Sequence, residues 1–206
     1  MKKQTFSKNV LQKILGSISL ALLILIALPE TVGAIPADPP AGGSLQQRID
    51  FRKNELKLVI DPKDEQRLKT RCIAVQALYR NFQQELSPKV TNHQNKYQSI
   101  DAKLYLAIGK LKLAERDTLE LEKQRTALAA KVAELDIVFT NYRQSIDDVV
   151  VMNCQADLVG FKSLIQTSRG YHDAVRLQTS DIKSYVVDTI KATLAGHTTA
   201  LQPKSS

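Results

Sequence analysis

The chain has 206 residues, 29 Lys and Arg against 21 Asp and Glu, and a formal net charge of +8. Trp is absent, aromatics make up 5 % and there are two Cys. So few cysteines exclude a disulfide-dense scaffold, and the spacing of Cys72 and Cys154 excludes C-x-x-C redox and zinc sites.

The N-terminus is expected to be an export signal. Lys2, Lys3, Lys8 and Lys13 make a positive head, followed by an apolar run from Ile14 to Leu28 and by "PETVGA". Charge, apolar core and small-residue cleavage site in that order define a secretory signal, here cut between Ala34 and Ile35. The other reading is an uncleaved anchor, which needs about 20 apolar residues. With no cysteine near the cut, a bacterial lipid anchor is excluded, and the polar "HTTALQPKSS" end carries no sorting signal. Removing residues 1–34 takes four Lys and one Glu, leaving 25 basic and 20 acidic residues, a net +5. That mild excess suits weak attraction to an anionic envelope polymer or lipid headgroups, and equally an ordinary solvated surface. No stable membrane span is expected after cleavage.

Residues 35–43, "IPADPPAGG", read as a flexible linker. From Ser44 onward the only prolines are Pro62, Pro88 and Pro203, and the only glycines Gly109, Gly160, Gly170 and Gly196. A β-rich fold needs more frequent turns, so one helical domain is expected over 44–196, with a disordered tail at 197–206.

A short first helix is expected from Ser44 to about Leu58, with Leu45, Ile49, Leu56 and Val59 as a weak stripe. "IDPKDEQRL" is a stronger start: Asp61 caps, Pro62 needs no N–H at the first position, and Asp64 and Glu65 favour the positive helix end. Leu68, Cys72, Val75, Tyr79, Phe82 and Leu86 then recur in steps of four and three. At "ELSPKV" two steps of four in succession form a stutter, and Pro88 predicts a kink or a restart capped by Ser87.

From Val90 to Val149 the four-three rhythm is strict, interrupted by polar residues only at His93, Thr118 and Arg125. Such persistence predicts coiled-coil packing. Either one helix of about 90 Å pairs with copies of itself, or a hairpin turns near the middle. The turn candidate is "LAERDTLELE", where Asp117 has capping-box spacing to Glu120. A last helix, capped by Asp157, is expected over 158–195 with Gly196 as its stop.

The midpoint of Cys72 and Cys154 falls at 113, beside that turn. The two arms measure about 63 and 56 Å as helix. A hairpin therefore brings the cysteines together, and an exported chain can keep them bridged; two buried free thiols are the alternative.

Catalytic signals are missing from the pattern. His93, His172 and His197 are scattered, without metal spacing. No phosphate loop, nucleophile elbow or zinc-protease motif occurs. Asp147 and Asp148 are adjacent on a helix and point apart, which argues against a dyad. Basic and acidic residues mix along every helix, so no specific nucleic-acid face is expected.

The segments "RCIAVQ", "NCQAD", "FKSLIQTSR" and "DIKSYVVDTIK" resemble, over roughly residues 65–192, an uncharacterised group of secreted coiled-coil proteins from candidate-phylum bacteria. Asn153 stands where that group carries Asp. The resemblance implies architecture and no assigned activity. Size, basic charge, export signal and helical hairpins are also similar to Skp/OmpH-like periplasmic chaperones, which have a β-stranded assembly body; no strand-like segment is visible here.

The expectation is an all-α, elongated antiparallel coiled-coil bundle of three long helices plus a short N-terminal one. It would serve as a secreted, non-enzymatic structural or interaction module at the cell envelope, without cofactor, and open to oligomerisation. A holdase for exported proteins is the alternative.

Overall fold

A computed structural model describes residues 43–199. The expected signal segment, its cut at Ala34–Ile35, the linker 35–42 and the tail 200–206 lie outside the described residues. Within the described range the chain is helical, with no strand. Helix α1 spans Leu45–Leu56, α2 Pro62–Leu113, α3 Leu119–Val151 and α4 Leu158–Ser184. A π-helical stretch, Tyr185–Ile190, continues α4 into α5, Lys191–Thr199.

The helix starts follow local chemistry. Ser44 and Gln47 form a reciprocal capping box on α1. The Asp61 carboxylate accepts from the Asp64 N–H at 2.8 Å, with Pro62 in the first turn. The Asp157 carboxylate likewise accepts from the Gly160 N–H at 2.8 Å. Asp117 acts differently from expectation. The cap of α3 is Thr118, which makes no side-chain cap bond, and Asp117 accepts instead from the Leu119 N–H at 2.9 Å. The carboxylate thus closes an Asx-type turn one residue ahead of the helix, and no capping box forms.

Ser87 does not cap a helix, because α2 runs without a break through Pro88. The carbonyl that Pro88 deprives of a donor belongs to Gln84, and both residues are exposed, so the lost bond lies on the solvent side of the helix. The Ser87 carbonyl accepts from the Thr91 hydroxyl at 3.1 Å. Gly196 does not stop the last helix, and His197–Thr199 are helical rather than disordered. An exposed helical glycine is tolerated where no left-handed turn follows it. Val59 is 86 % exposed, since α1 ends at Leu56 and the stripe expected through Val59 stops with it.

The turn between α2 and α3 is a Schellman arrangement. Arg116 N–H donates to the Leu111 carbonyl and Glu115 N–H to that of Lys112, both at 2.9 Å. Glu115 takes the left-handed conformation, φ 54°, that glycine usually occupies there.

Contacts along α2 and α3 run in opposite directions: Gln76 meets Val149, Gln94 meets Asp136, Asp101 meets Arg125 and Lys112 meets Glu122. The seam supplies the interior, with Leu104, Leu111, Leu121, Leu128, Leu135, Phe139, Ile146 and Val149 all buried. Its polar exceptions have partners. Arg125 pairs with both oxygens of Asp101 at 2.7 and 2.9 Å, and the Thr118 hydroxyl donates to Glu122 at 2.8 Å. The His93 ring lies 5.7 Å from that of Phe139, and burial holds its pKa below the ordinary value.

Helix α4 returns along α3, as the contacts Tyr142–His172 and Lys131–Asp181 record, and α5 continues that course with Gln124–Thr193. It presents Phe161, Leu164, Tyr171, Ala174 and Ile182 to the interior. The π-helical stretch widens one turn. Beyond it Ile190 stays buried and Thr193 reaches Gln124 at 2.9 Å.

Candidate functional site

The end of the bundle opposite the α2–α3 turn gathers the chain's distinctive chemistry. Cys72 projects from α2 and Cys154 from the short α3–α4 connection. Their sulfurs lie 2.18 Å apart, at disulfide distance, with Cα atoms 5.9 Å apart and 82 residues between them in sequence. Both side chains are buried. The single-helix alternative left open by the seam is therefore not what forms.

One turn on from Cys72, Gln76 is buried. Its Nε2 donates to the carbonyls of Met152 at 2.7 Å and Val149 at 2.9 Å. The last carbonyls of a helix lack intrahelical donors, so Gln76 caps the end of α3 from across the hairpin. The Asn153 carboxamide accepts from the Gln155 and Ala156 N–H groups and shapes the next turn.

Helix α1 closes this base through two arginines. Arg48 donates from Nε and an Nη to the two Asp148 oxygens, at 2.8 and 2.6 Å, and its other Nη reaches the Gly43 carbonyl. Gln144 donates to the same carboxylate at 2.9 Å. Hydrogen bonding to Asp148 raises the Arg48 pKa further above its ordinary value. Arg52 is 2 % exposed. It donates to the Tyr171 hydroxyl at 3.0 Å and to Glu55 at 2.7 Å, and stacks over the rings of Phe51 and Tyr171. Lys53–Asp157 and Lys162–Asp64 add ion pairs at 3.1 and 3.7 Å.

Between α1, α3 and α4 the two arginines, Asn141, Gln144, Ser145 and Tyr171 line a cavity of about 30 Å³. That is the volume of one water, well below the roughly 300 Å³ at which ligand pockets begin. Asp148 is committed to Arg48 and Gln144, and Ser145 donates to the Tyr142 carbonyl at 2.7 Å. The geometry suits holding α1 against the hairpin. Among the described residues no group of three or more His, Cys, Asp or Glu is placed to hold a metal, and no helix is long and apolar enough to cross a membrane.

Of the sequence-identified positions, the base brings together Cys72, Cys154 and Asp157, with Asp61 nearby at the start of α2. Asp117 lies at the opposite end. Ser87 lies on an exposed part of α2, away from the base. Asp147 and Asp148 do diverge: Asp147 accepts from Gln83 on α2 at 2.7 Å, while Asp148 turns to Arg48. Sequence reasoning named Asp148 only as no part of a dyad and missed its partner Arg48, as well as Arg52 and Gln76. A signal existed in α3, where Gln124, Lys131, Val138, Ser145 and, at its C-cap, Met152 recur at sevens beside the seam and all but Lys131 are buried. That second stripe marks a second neighbour.

Comparison with protein families, with curated proteins and with solved structures finds no match.

Proposed function

We propose that this chain is an exported, non-enzymatic module of the cell envelope, presenting the outside of an elongated antiparallel coiled-coil bundle to a protein or anionic polymer. The observation that carries the reading is the placement of Cys72 beside Cys154 across 82 residues. A bridge of that kind persists in an oxidising compartment. The basic, apolar and small-residue order of residues 1–34 supports the same address. The four-three seam buried between α2 and α3 supports coiled-coil packing. The polar contacts at the base serve to fix α1, which leaves the helix exteriors as the working surface.

The test is cross-linking in the native envelope followed by capture and identification of what is joined. The reading expects a discrete, stoichiometric partner. Suppression of aggregation of many unfolded clients at stoichiometric amounts, with no discrete partner, would replace it with the holdase alternative.

A further inference from the structure

The last three turns of α2 carry two apolar faces, and among the described residues only one of them is packed. Leu104, Ile108 and Leu111 face inward and are buried. On the opposite side Ala102, Leu106, Gly109 and Leu113 repeat the four-three-four spacing of the inner seam and are all exposed, Leu106 by 62 % and Leu113 by 88 %. A Cβ built on Gly109 meets nothing within 4 Å. Glycine disfavours a helix interior relative to alanine, and no packing within the described residues requires it at this position. Small residues at 102 and 109 between protruding leucines make a dip that a second helix can approach closely.

One flank of this stripe is basic. Lys103 and Lys110 border it on one side, three and four residues from Leu106, and neither pairs with a carboxylate among the described residues. Lys112 and Tyr105 border the other side, with Lys112 bridged to Glu122 at 2.7 Å and Tyr105 under the Arg125 guanidinium. No acidic residue occurs between Ala102 and Leu113. An antiparallel second copy would set the Lys103 and Lys110 flank against itself, and like charges at such positions oppose pairing; a parallel one would set it against Tyr105 and the bridged Lys112, where α2 offers it no carboxylate.

From this spacing and charge we infer that the outer stripe of α2 docks an acidic amphipathic helix of another protein, with leucines at its seam and glutamates on the flank that faces Lys103 and Lys110. The inference deepens the interaction-module reading and rests on it. The partner's leucines fill the dip at Ala102 and Gly109, and its glutamates reach Lys103 and Lys110.

The test titrates the full chain with a labelled three-heptad peptide carrying Leu at both seam positions and Glu on both flanks. Controls are the same peptide with Lys flanks and vesicles of anionic phospholipid. Saturable binding of the Glu peptide is expected, weakening as salt rises. At least a tenfold loss is expected in Lys103→Glu/Lys110→Glu, and in Gly109→Leu, whose Cβ meets nothing within 4 Å and whose side chain would fill the dip. Ile137→Ser, on an exposed apolar position of α3, should bind unchanged. Equal binding of the two peptides, binding to vesicles alone, or no binding at all overturns the inference. Envelope cross-linking of Lys103→Glu/Lys110→Glu separates the two claims. A discrete partner captured as by the unaltered chain overturns this face and leaves the module reading standing. No discrete partner from either protein overturns both.

Discussion

Removing the Asp148 carboxylate should release α1 from the bundle. In Asp148→Ala the Arg48 guanidinium loses both charged contacts, and Gln144 loses one. Breaking a fully buried pair by deleting one partner costs about 3–5 kcal/mol. The Asp148 side chain is 5 % exposed but that of Arg48 is 17 %, so the stranded cation recovers part of its hydration. The expected loss is therefore about 2–3 kcal/mol, or roughly 4–12 °C in Tm for a domain of this size. Urea unfolding and hydrogen exchange measure it together. Protection of α1 amides should fall about 30- to 150-fold, because each 1.4 kcal/mol is tenfold. Arg48→Met/Asp148→Leu should restore most of the stability, since an apolar pair of similar volume replaces the ions without stranding either. An Asp148→Ala protein within about 0.5 kcal/mol of wild type, with α1 protection unchanged, would refute the assignment of Arg48 and Asp148 as the lock.

Reducing the Cys72–Cys154 bridge should cost about 4–5 kcal/mol from the entropy of the opened loop, seen as a drop in Tm with reductant that a Cys72→Ser/Cys154→Ser protein does not show. Gly160→Ala should destabilise by about 1–3 kcal/mol in urea unfolding, because its Cβ would lie 2.5 Å from the Asp157 carboxylate and 2.8 Å from Ile49. Gly109→Ala, in open space, should instead stabilise by about 1 kcal/mol in the same assay. His93 titrates below its ordinary 6.5 in the folded chain because burial disfavours the cation. The unfolded chain therefore binds the proton first, and the His93 contribution is complete above that value and lost as pH falls through it toward the folded pKa. His93→Gln should flatten this part of the stability–pH curve, and the imidazole NMR shift should report the lowered pKa directly.

The starts of α1, α2 and α4 were legible because Ser44, Asp61 and Asp157 each precede a helical pattern and use the same local chemistry in the fold. The seam was legible because one stripe of α3 must face α2 along its whole length. Legibility failed where tertiary context overrode a local signal. Pro88 predicted a break, but it sits on the solvent face, and so does the lost bond. The α2–α3 turn was legible in "LAERDTLELE", but its Schellman form was not, because Glu115 occupies the left-handed position without glycine's freedom. The α1 lock was hidden for a different reason. Arg48 and Asp148 are 100 residues apart, and a charged residue on a helix reads as surface until the helix that covers it is known. The π-helical turn at Tyr185–Ile190 left no mark in "YVVDTI", whose side-chain spacing fits an ordinary helix as well.

The hairpin is clasped at its base by two cysteines that an oxidising compartment would keep bridged. Protein isolated from the native envelope with thiols blocked, then digested without reductant, tests that clasp most directly. A linked peptide pair containing Cys72 and Cys154 from a single chain is expected. Two blocked free thiols, or a bridge between two chains, would contradict it.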